Sequence, residues 1–170
     1  MKTVLDIECT MFGPEKSPAP YYPENYLVSV GHSDADCRTV GDNYFCFKHN
    51  EEPPFPDGKN ALQYTLDETT LLICHNIKFD LSWLLECGFE YTGAVYDTMI
   101  HEYVKRGGLK QVRLNLDDSC KRYGIEGKSG GPAEYMAKGI GFEAMPWEVV
   151  EEYGRNDVEI TRRLYHAQND

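Results

Sequence analysis

The 170-residue sequence has no apolar run close to the ~20 residues that a membrane-crossing helix needs. Its opening, MKTVLDIECT, lacks the apolar stretch and small-residue cleavage site of a secretion signal. None of the six cysteines falls in a CxxC pair, which removes the common zinc-ribbon and dithiol patterns. In a cytoplasmic chain such cysteines read as reduced thiols, several of them buried. A looser zinc grouping of His32, Cys37, Cys46 and His49 matches no standard spacing. Internal repeats, low-complexity tracts and a recognisable domain linker are also missing. Basic residues are few, 17 against 28 acids, and the net charge of −11 is a poor match for phosphate. What remains is a folded chain of ordinary composition, expected to form one domain over residues 1–170 and to be cytoplasmic.

The scarce positive charge is unevenly spread. Residues 101–130 hold seven basic residues (Lys105, Arg106, Lys110, Arg113, Lys121, Arg122, Lys128) against four acids (Glu102, Asp117, Asp118, Glu126). That segment reads either as a solvated helical face or as a local phosphate-facing surface on an acidic body.

The pattern of apolar residues predicts a strand over 2–8 and a second over 26–31, separated by a proline-rich loop over 11–25. A hairpin is expected over 37–47 around Gly41-Asp42-Asn43. A short helix near 59–67 precedes a buried strand over 70–75. The run NIKFDLSWLLECG then reads as a half-buried helix, with Asn76 as its cap. Further on come a short strand at 94–98 leading into a helix, a helix over 114–125, and a flexible GKSGGP loop. A last helix starts near Pro146. Early strands in a meander and later strands alternating with helices imply a mixed sheet flanked by helices, an α/β fold.

Three acidic groupings stand out. Asp6 and Glu8 alternate on the first strand, so they face the same side. Asp80 lies four residues after Asn76, at the spacing that brings both to one helix face. Tyr153 and Asp157 repeat that spacing on the last helix, with Gly154 and Asn156 between them. Taken singly, each has a plainer reading: exposed strand-end acids, a capped helix with a solvated acid, and a tyrosine at a core edge. Together they supply four carboxylates, each held by an apolar segment. Oxygen-rich sets of this kind suit Mg2+ or Mn2+, and two such ions can clamp a phosphodiester.

In that order, DIE, HNIKFD and YGRND resemble the three motifs of the DEDD 3'–5' exonucleases, in the branch whose third motif carries tyrosine. VYDTMIHEYV (95–104) and LNLDDSCKRYGI (114–125) are similar to segments that follow the second motif in the proofreading domains of DNA polymerase I-type enzymes. The resemblance therefore runs from about residue 3 to 165. It implies an RNase H-like fold with a mixed five-stranded sheet.

The resemblance also implies roles. Asp6 would bridge two metal ions, Mg2+ or Mn2+. Glu8 and Asp157 would complete the site of the ion that activates water, and Asp80 would hold the second. Tyr153 would orient the attacking water; phenols ordinarily titrate near 10, so it is not assigned as the base. Asn76 would bind the substrate backbone. Cys9, where relatives often have threonine, would offer its backbone N–H to the 3'-terminal hydroxyl. Thr10, Met11 and Phe12 would form a wedge for the terminal base, with Phe12 stacking. Asp97 would be structural.

The expected activity is metal-dependent release of nucleoside 5'-monophosphates from the 3' end of nucleic acid, with single-stranded DNA favoured. RNA is the same-chemistry alternative. A non-catalytic nucleic-acid-binding module or a replisome accessory subunit on the same fold is the rival of another class. A polymerase or replisome partner and no membrane are expected. Compact ends fit a free-standing nuclease, in a host's cytoplasm if phage-encoded.

Overall fold

The computed structural model describes residues 1–36, 43–127 and 131–170. Five strands, β1 (Lys2–Cys9), β2 (Leu27–Asp34), β3 (Asn43–Cys46), β4 (Leu71–Cys74) and β5 (Ala94–Asp97), form one sheet in the order β3-β2-β1-β4-β5. Hydrogen bonding is antiparallel from β3 to β2 and from β2 to β1, and parallel from β1 to β4 and from β4 to β5. The proline-rich segment links the antiparallel pair β1 and β2. The later strands are each reached through a helix, as parallel pairing requires. This is the mixed five-stranded RNase H-like arrangement that the sequence implied.

Among the described residues six α-helices surround the sheet: α1 (Gly58–Glu68), α2 (Ile77–Glu86), α3 (Thr98–Lys105), α4 (Leu116–Arg122), α5 (Gly131–Ala137) and α6 (Trp147–Asn169). The central strand is buried on both faces, and its side chains sort by alternation. Leu5, Ile7 and Cys9 join Leu62 and Leu66 of α1 and Ile77, Trp83 and Leu84 of α2 in the larger core. Val4 turns the other way, toward Ile73 of β4 and Val158 and Tyr165 of α6. The period of two therefore puts Asp6 and Glu8 on the face that α6 covers. A β-bulge between Glu8 and Cys9 ends the regular pairing with β2, a device that re-aims side chains at a strand end.

Helix α6 buries Val150, Gly154, Asp157, Val158, Ile160, Thr161, Leu164, Tyr165 and Gln168. These recur at three- and four-residue intervals, so a single stripe docks 23 residues across the sheet. One acid, Asp157, lies inside that stripe.

Some expectations changed. The second strand is longer than expected, and it is β2 that pairs with β3; the first arm of the expected 37–47 hairpin falls outside the described residues. Part of GKSGGP enters α5, with Pro132 buried near its start, the position in a helix where proline loses no hydrogen bond. Asn76 precedes α2 in a left-handed conformation (φ 71°, ψ 51°), and its side chain makes no capping bond. Asp97 does that work: its carboxylate accepts from the backbone N–H groups of Asn76 (3.0 Å) and Ile77 (3.1 Å) at the start of α2. It also accepts from Met99 (2.8 Å) and Ile100 (3.3 Å) at the start of α3. One acid thus fixes two helix N-termini, which favour negative charge. Among the described residues no helix is long and apolar enough to cross a membrane.

Candidate active site

Carboxylate oxygens of Asp6, Glu8 and Asp157 all lie within 4.8 Å of one another. Strand β1 supplies the first two and α6 the third, from opposite ends of the chain. Glu8 and Asp157 are buried, at 7% and 4% exposure. Three acids converging with two of them out of water is costly unless a cation is shared. In an octahedral Mg2+ site, opposite ligand oxygens sit about 4.2 Å apart, so small side-chain rotations bring this set to a divalent ion. All three donors are hard oxygens, the type such ions take. The three are the one such grouping of acids, histidines and cysteines among the described residues. The looser zinc set gains no support: Cys37 lies outside the described residues, and the His49 ring bonds the Met145 carbonyl (2.9 Å) and the N–H groups of Glu51 and Glu52.

Asp80 stands in the first turn of α2 at 3% exposure. Burial, then the charge of Asp6, push its carboxyl well above the usual carboxylate range, against backbone hydrogen bonds that pull it down. It is therefore an electrostatic neighbour of Asp6 without joining the three-oxygen group.

Tyr153 is one turn before Asp157 on α6. Its ring rests on Phe142, with centroids 5.7 Å apart, in a minor core with Val28, Met145 and Val150. Gly154 beside it has a definite purpose. Tyr44 of β3 crosses over Gly31 of β2, and its hydroxyl meets Ser29 Oγ (2.9 Å) and donates to the Val150 carbonyl (3.2 Å). A Cβ on Gly154 would lie 2.5 Å from Tyr44 Cε2, and one on Gly31 would lie 2.9 Å from Cδ2. Two glycines on facing elements thus make the slot for this ring. Burial, then the nearby charge of Glu8, raise the Tyr44 phenol well above its ordinary value. The signals were the two misfit glycines, one in a strand and one in a helix, each a mark of close approach; the ring that fills the gap is not legible from either.

The residues expected to meet substrate are dispersed. Phe12 is 52% exposed and edge-on to Tyr26. Asn76 is exposed, beside the start of α2. Cys9 is buried, its Sγ 3.8 Å from the Pro18 carbonyl. Burial, then Glu8, raise its thiol far above the ordinary range, so it stays protonated. Thr10 is fully buried, and its hydroxyl accepts from the Tyr26 N–H at 2.9 Å, so that hydroxyl faces inward.

The basic segment is partly internal. Glu102 is wholly buried and takes Arg122 Nε at 2.8 Å and the Tyr123 hydroxyl at 2.6 Å; Arg106 approaches at 3.7 Å. Lys105 lies over the Tyr123 ring. Lys110, Arg113 and Lys121 are exposed, and Lys128 is outside the described residues.

The sequence profile of a 3'-5' exonuclease family matches residues 57–169, which take in Asp80, Tyr153 and Asp157 but not Asp6 and Glu8. A curated relative, DNA polymerase I of Treponema pallidum (strain Nichols), is 31% identical over 110 residues, covering 59% of this chain and 10% of the relative. The chain thus spans about a tenth of that protein's length. Among solved structures, one described as the apo form of the nuclease superposes with a TM-score of 0.70 at 19% identity, over 99% of this chain and 71% of that one. Brucella melitensis NrnC with bound Mg2+ gives 0.55 at 16% identity, covering 99% and 82%. The same protein bound to pGG gives 0.54 at 17%, covering 99% and 81%. At these identities the likeness is one of fold.

Proposed function

This chain belongs to the 3'-5' exonuclease family, and from that premise we propose that it is a metal-dependent nuclease that shortens single-stranded DNA from the 3' end. Its products are nucleoside 5'-monophosphates. The observation that carries this reading is the convergence of Asp6, Glu8 and Asp157 within 4.8 Å. DNA is favoured because the curated relative is a DNA polymerase, which also makes a polymerase or replisome a proposed partner. RNA shares the chemistry and is tested alongside. In this reading residues 1–170 act as one catalytic domain of the branch whose third motif carries tyrosine, which Tyr153 one turn before Asp157 supports.

Bound divalent ions, two of Mg2+ or Mn2+ in this proposal, would supply a lowered pKa of water and a counter-charge for the phosphate. Asp6, Glu8 and Asp157 would hold them through hard carboxylate oxygens, with Asp80 completing the set beside Asp6. Tyr153, braced by Phe142, hydrogen-bonds the attacking water and fixes its approach to phosphorus. The water oxygen bonds to phosphorus and the P–O3' bond breaks. The shortened strand leaves with a 3'-hydroxyl, having taken up a proton. Burial of Glu8 and Asp157 keeps competing water from the acids and strengthens their field. Phe12 stacks on the terminal base, Asn76 bonds the backbone, and the Cys9 N–H meets the terminal hydroxyl. Thr10 supports that strand end from inside.

The test is incubation with 5'-labelled single-stranded DNA and RNA, in Mg2+, Mn2+ or chelator. A ladder shortening from the 3' end, absent in chelator and in Asp6→Ala, is expected. Folded protein that yields no ladder with either metal overturns the reading.

A further inference from the structure

Beside β3 a notch of ≈ 290 Å³ opens between the 52–56 run and the start of α6, with Tyr44, Phe55 and Trp147 among its walls. It is smaller than the ~300–1,000 Å³ of pockets that take a whole small molecule, a size suited to one inserted side chain. Its walls are fixed. Pro53, Pro54 and Pro56 restrict the backbone around Phe55. The Phe55 N–H donates to the Cys46 carbonyl of β3 at 2.8 Å, and the Phe55 ring packs on Phe45 with centroids 4.7 Å apart. Trp147 opens α6, its ring 5.8 Å from that of Tyr44 and 5.2 Å from that of His49. Phe55 is nonetheless 45% exposed.

The charge around this notch is of one sign. The stretches 51–57 and 147–152 carry Glu51, Glu52, Asp57, Glu148, Glu151 and Glu152, and no lysine or arginine. Such a field repels phosphate, and with it nucleic acid and anionic lipid. Two of these acids, Glu52 and Glu151, line the notch itself. Glu151 is already taken by Arg155 at 2.7 Å, whose guanidinium lies 5.4 Å from the centre of the Tyr44 ring. Glu52 is fixed through its backbone: its N–H donates to His49 Nδ1 (3.1 Å) and its carbonyl accepts from Cys46 Sγ (3.5 Å). Its carboxylate has no ion-pair partner among the described residues. Aromatic faces beside a spare carboxylate suit a cation that is also flat. A guanidinium stacks on a ring and forks onto a carboxylate, which a compact ammonium does less well. Arg155 displays that pairing on Tyr44 and Glu151; Trp147, Phe55 and Glu52 repeat the ingredients without the guanidinium.

We propose that the notch between the 53–56 run and Trp147 is a docking site for an arginine-bearing segment of a partner protein, its guanidinium seated against Trp147 and Phe55 and bonded to Glu52. The occupant also reaches the acids, through one residue. Tyr44 lines the notch, and the hydroxyl end of its ring packs on Gly154, between Tyr153 and Asp157. Its hydroxyl partner Ser29 stands opposite Glu8 across β2 and β1. A side chain held in the notch therefore steadies the spacer that sets the acids apart. Docking and Mg2+ binding then reinforce one another, by the same factor in each direction. That coupling rests on the metal reading above; the docking itself does not.

The experiment is fluorescence anisotropy with the full chain in chelator and a labelled nine-residue peptide carrying three arginines in a glycine–serine frame. Two further versions carry lysine or glutamine at those places. The arginine peptide is expected to bind saturably, the lysine peptide more weakly and the glutamine peptide not at all. Glu52→Gln weakens the arginine peptide by about 10-fold or more, the loss of one charged hydrogen-bond partner. Trp147→Leu weakens it by about 2- to 30-fold, the range of a cation on an aromatic face, and Trp147→Phe restores part of that. Glu90→Gln, at an exposed acid ahead of β5, leaves it unchanged. With the arginine peptide at saturation, calorimetric Mg2+ affinity rises by about 5-fold or more. No saturable binding, equal binding of the lysine or glutamine peptide, or an equal loss in Glu90→Gln overturns the site. Wild-type dimerisation in sedimentation that Glu52→Gln abolishes makes the occupant a second copy and overturns the partner. Peptide binding with unchanged Mg2+ affinity overturns the coupling. A protein that binds the peptide and takes up no Mg2+ keeps the notch and sinks the metal reading. A metal-dependent ladder without peptide binding does the reverse.

Discussion

Tyr44 of β3 packs the hydroxyl end of its ring against the bare backbone of Gly154 on α6, and the two together set how closely the helix approaches the sheet. The ring is held from below at Gly31 and by its hydroxyl at Ser29 and Val150. Ser29 is the direct β2 partner of Glu8, and Asp157 is one turn further along α6. The spacing of the acid cluster therefore depends on this contact.

Gly154→Ala tests that dependence. Alanine gains about 1 kcal/mol in helix propensity. It must also displace a ring with no free space on either side, an overpacking cost of about 1–3 kcal/mol. Lower stability in urea unfolding and weaker Mg2+ binding are expected together. A variant more stable than wild type, with unchanged metal affinity, would show that α6 adjusts freely.

Neutralising one acid of the cluster should affect stability in opposite directions with and without metal. Asp157→Asn removes a like charge from a group within 4.8 Å. In chelator its melting temperature rises, from about 1 kcal/mol or more of relieved repulsion. In excess Mg2+ wild type gains by linkage and the order reverses. Turnover falls by more than about 100-fold. Calorimetric melts in both buffers decide, and parallel shifts would mean that no shared cation is held there.

Tyr153→Phe keeps the ring on Phe142 and leaves the carboxylates in place. Turnover is expected to fall by about 10- to 100-fold, as for a misplaced reacting group, while titrated Mg2+ affinity holds. Lost metal affinity would assign the hydroxyl a different role.

His32 makes folding sensitive to acid. It lies in β2 at 5% exposure, packed on Phe45, and its Nε2 has no hydrogen-bond partner. Burial lowers its pKa to about 4 from 6.5. The folded state thus favours the neutral ring, and the unfolded chain binds the extra proton between those two values. Stability is full above about pH 6.5 and declines as pH falls toward 4, by up to about 3 kcal/mol from this residue. In His32→Leu the difference in unfolding free energy between pH 7 and pH 4.5 should shrink accordingly. An identical pH profile would place the acid sensitivity elsewhere.

Arg122→Ala leaves Glu102 buried with Arg106 as its remaining cation, 3.7 Å away. Bonds from Tyr123, Arg122 and Gln168 outweigh the burial that raises the Glu102 carboxyl and hold it below its ordinary value. Breaking such a pair costs about 3 kcal/mol or more. Lys121→Ala, on the exposed side of the same helix, should change stability by less than about 0.5 kcal/mol. Chemical denaturation of both checks the contrast, and equal losses would make Glu102 an ordinary surface partner.

Much of this was legible in the chain itself. Alternation along KTVLDIEC put Asp6 and Glu8 on one side. The four-residue spacing in YGRND set Tyr153 and Asp157 one above the other, and strands alternating with helices gave the mixed sheet. These are local periodicities, fixed by backbone geometry within a few residues. The basic segment was different: its charges looked free because the sequence does not say that Glu102 is buried beneath Arg122. Asn76 looked like a cap because Asp97, 21 residues away, was not yet known to reach its N–H. The sequence by itself determined which faces carry the acids and that the fold is α/β. Only the tertiary structure decided that Asp157 meets Asp6 and Glu8, that Tyr44 fills the gap left by Gly31 and Gly154, and that the proline-rich segment after β1 meets α2, where the Pro18 carbonyl takes Trp83 Nε1 at 3.0 Å. Each of those depends on contacts between residues far apart in the chain, whose energy appears only when the core that aligns them has closed.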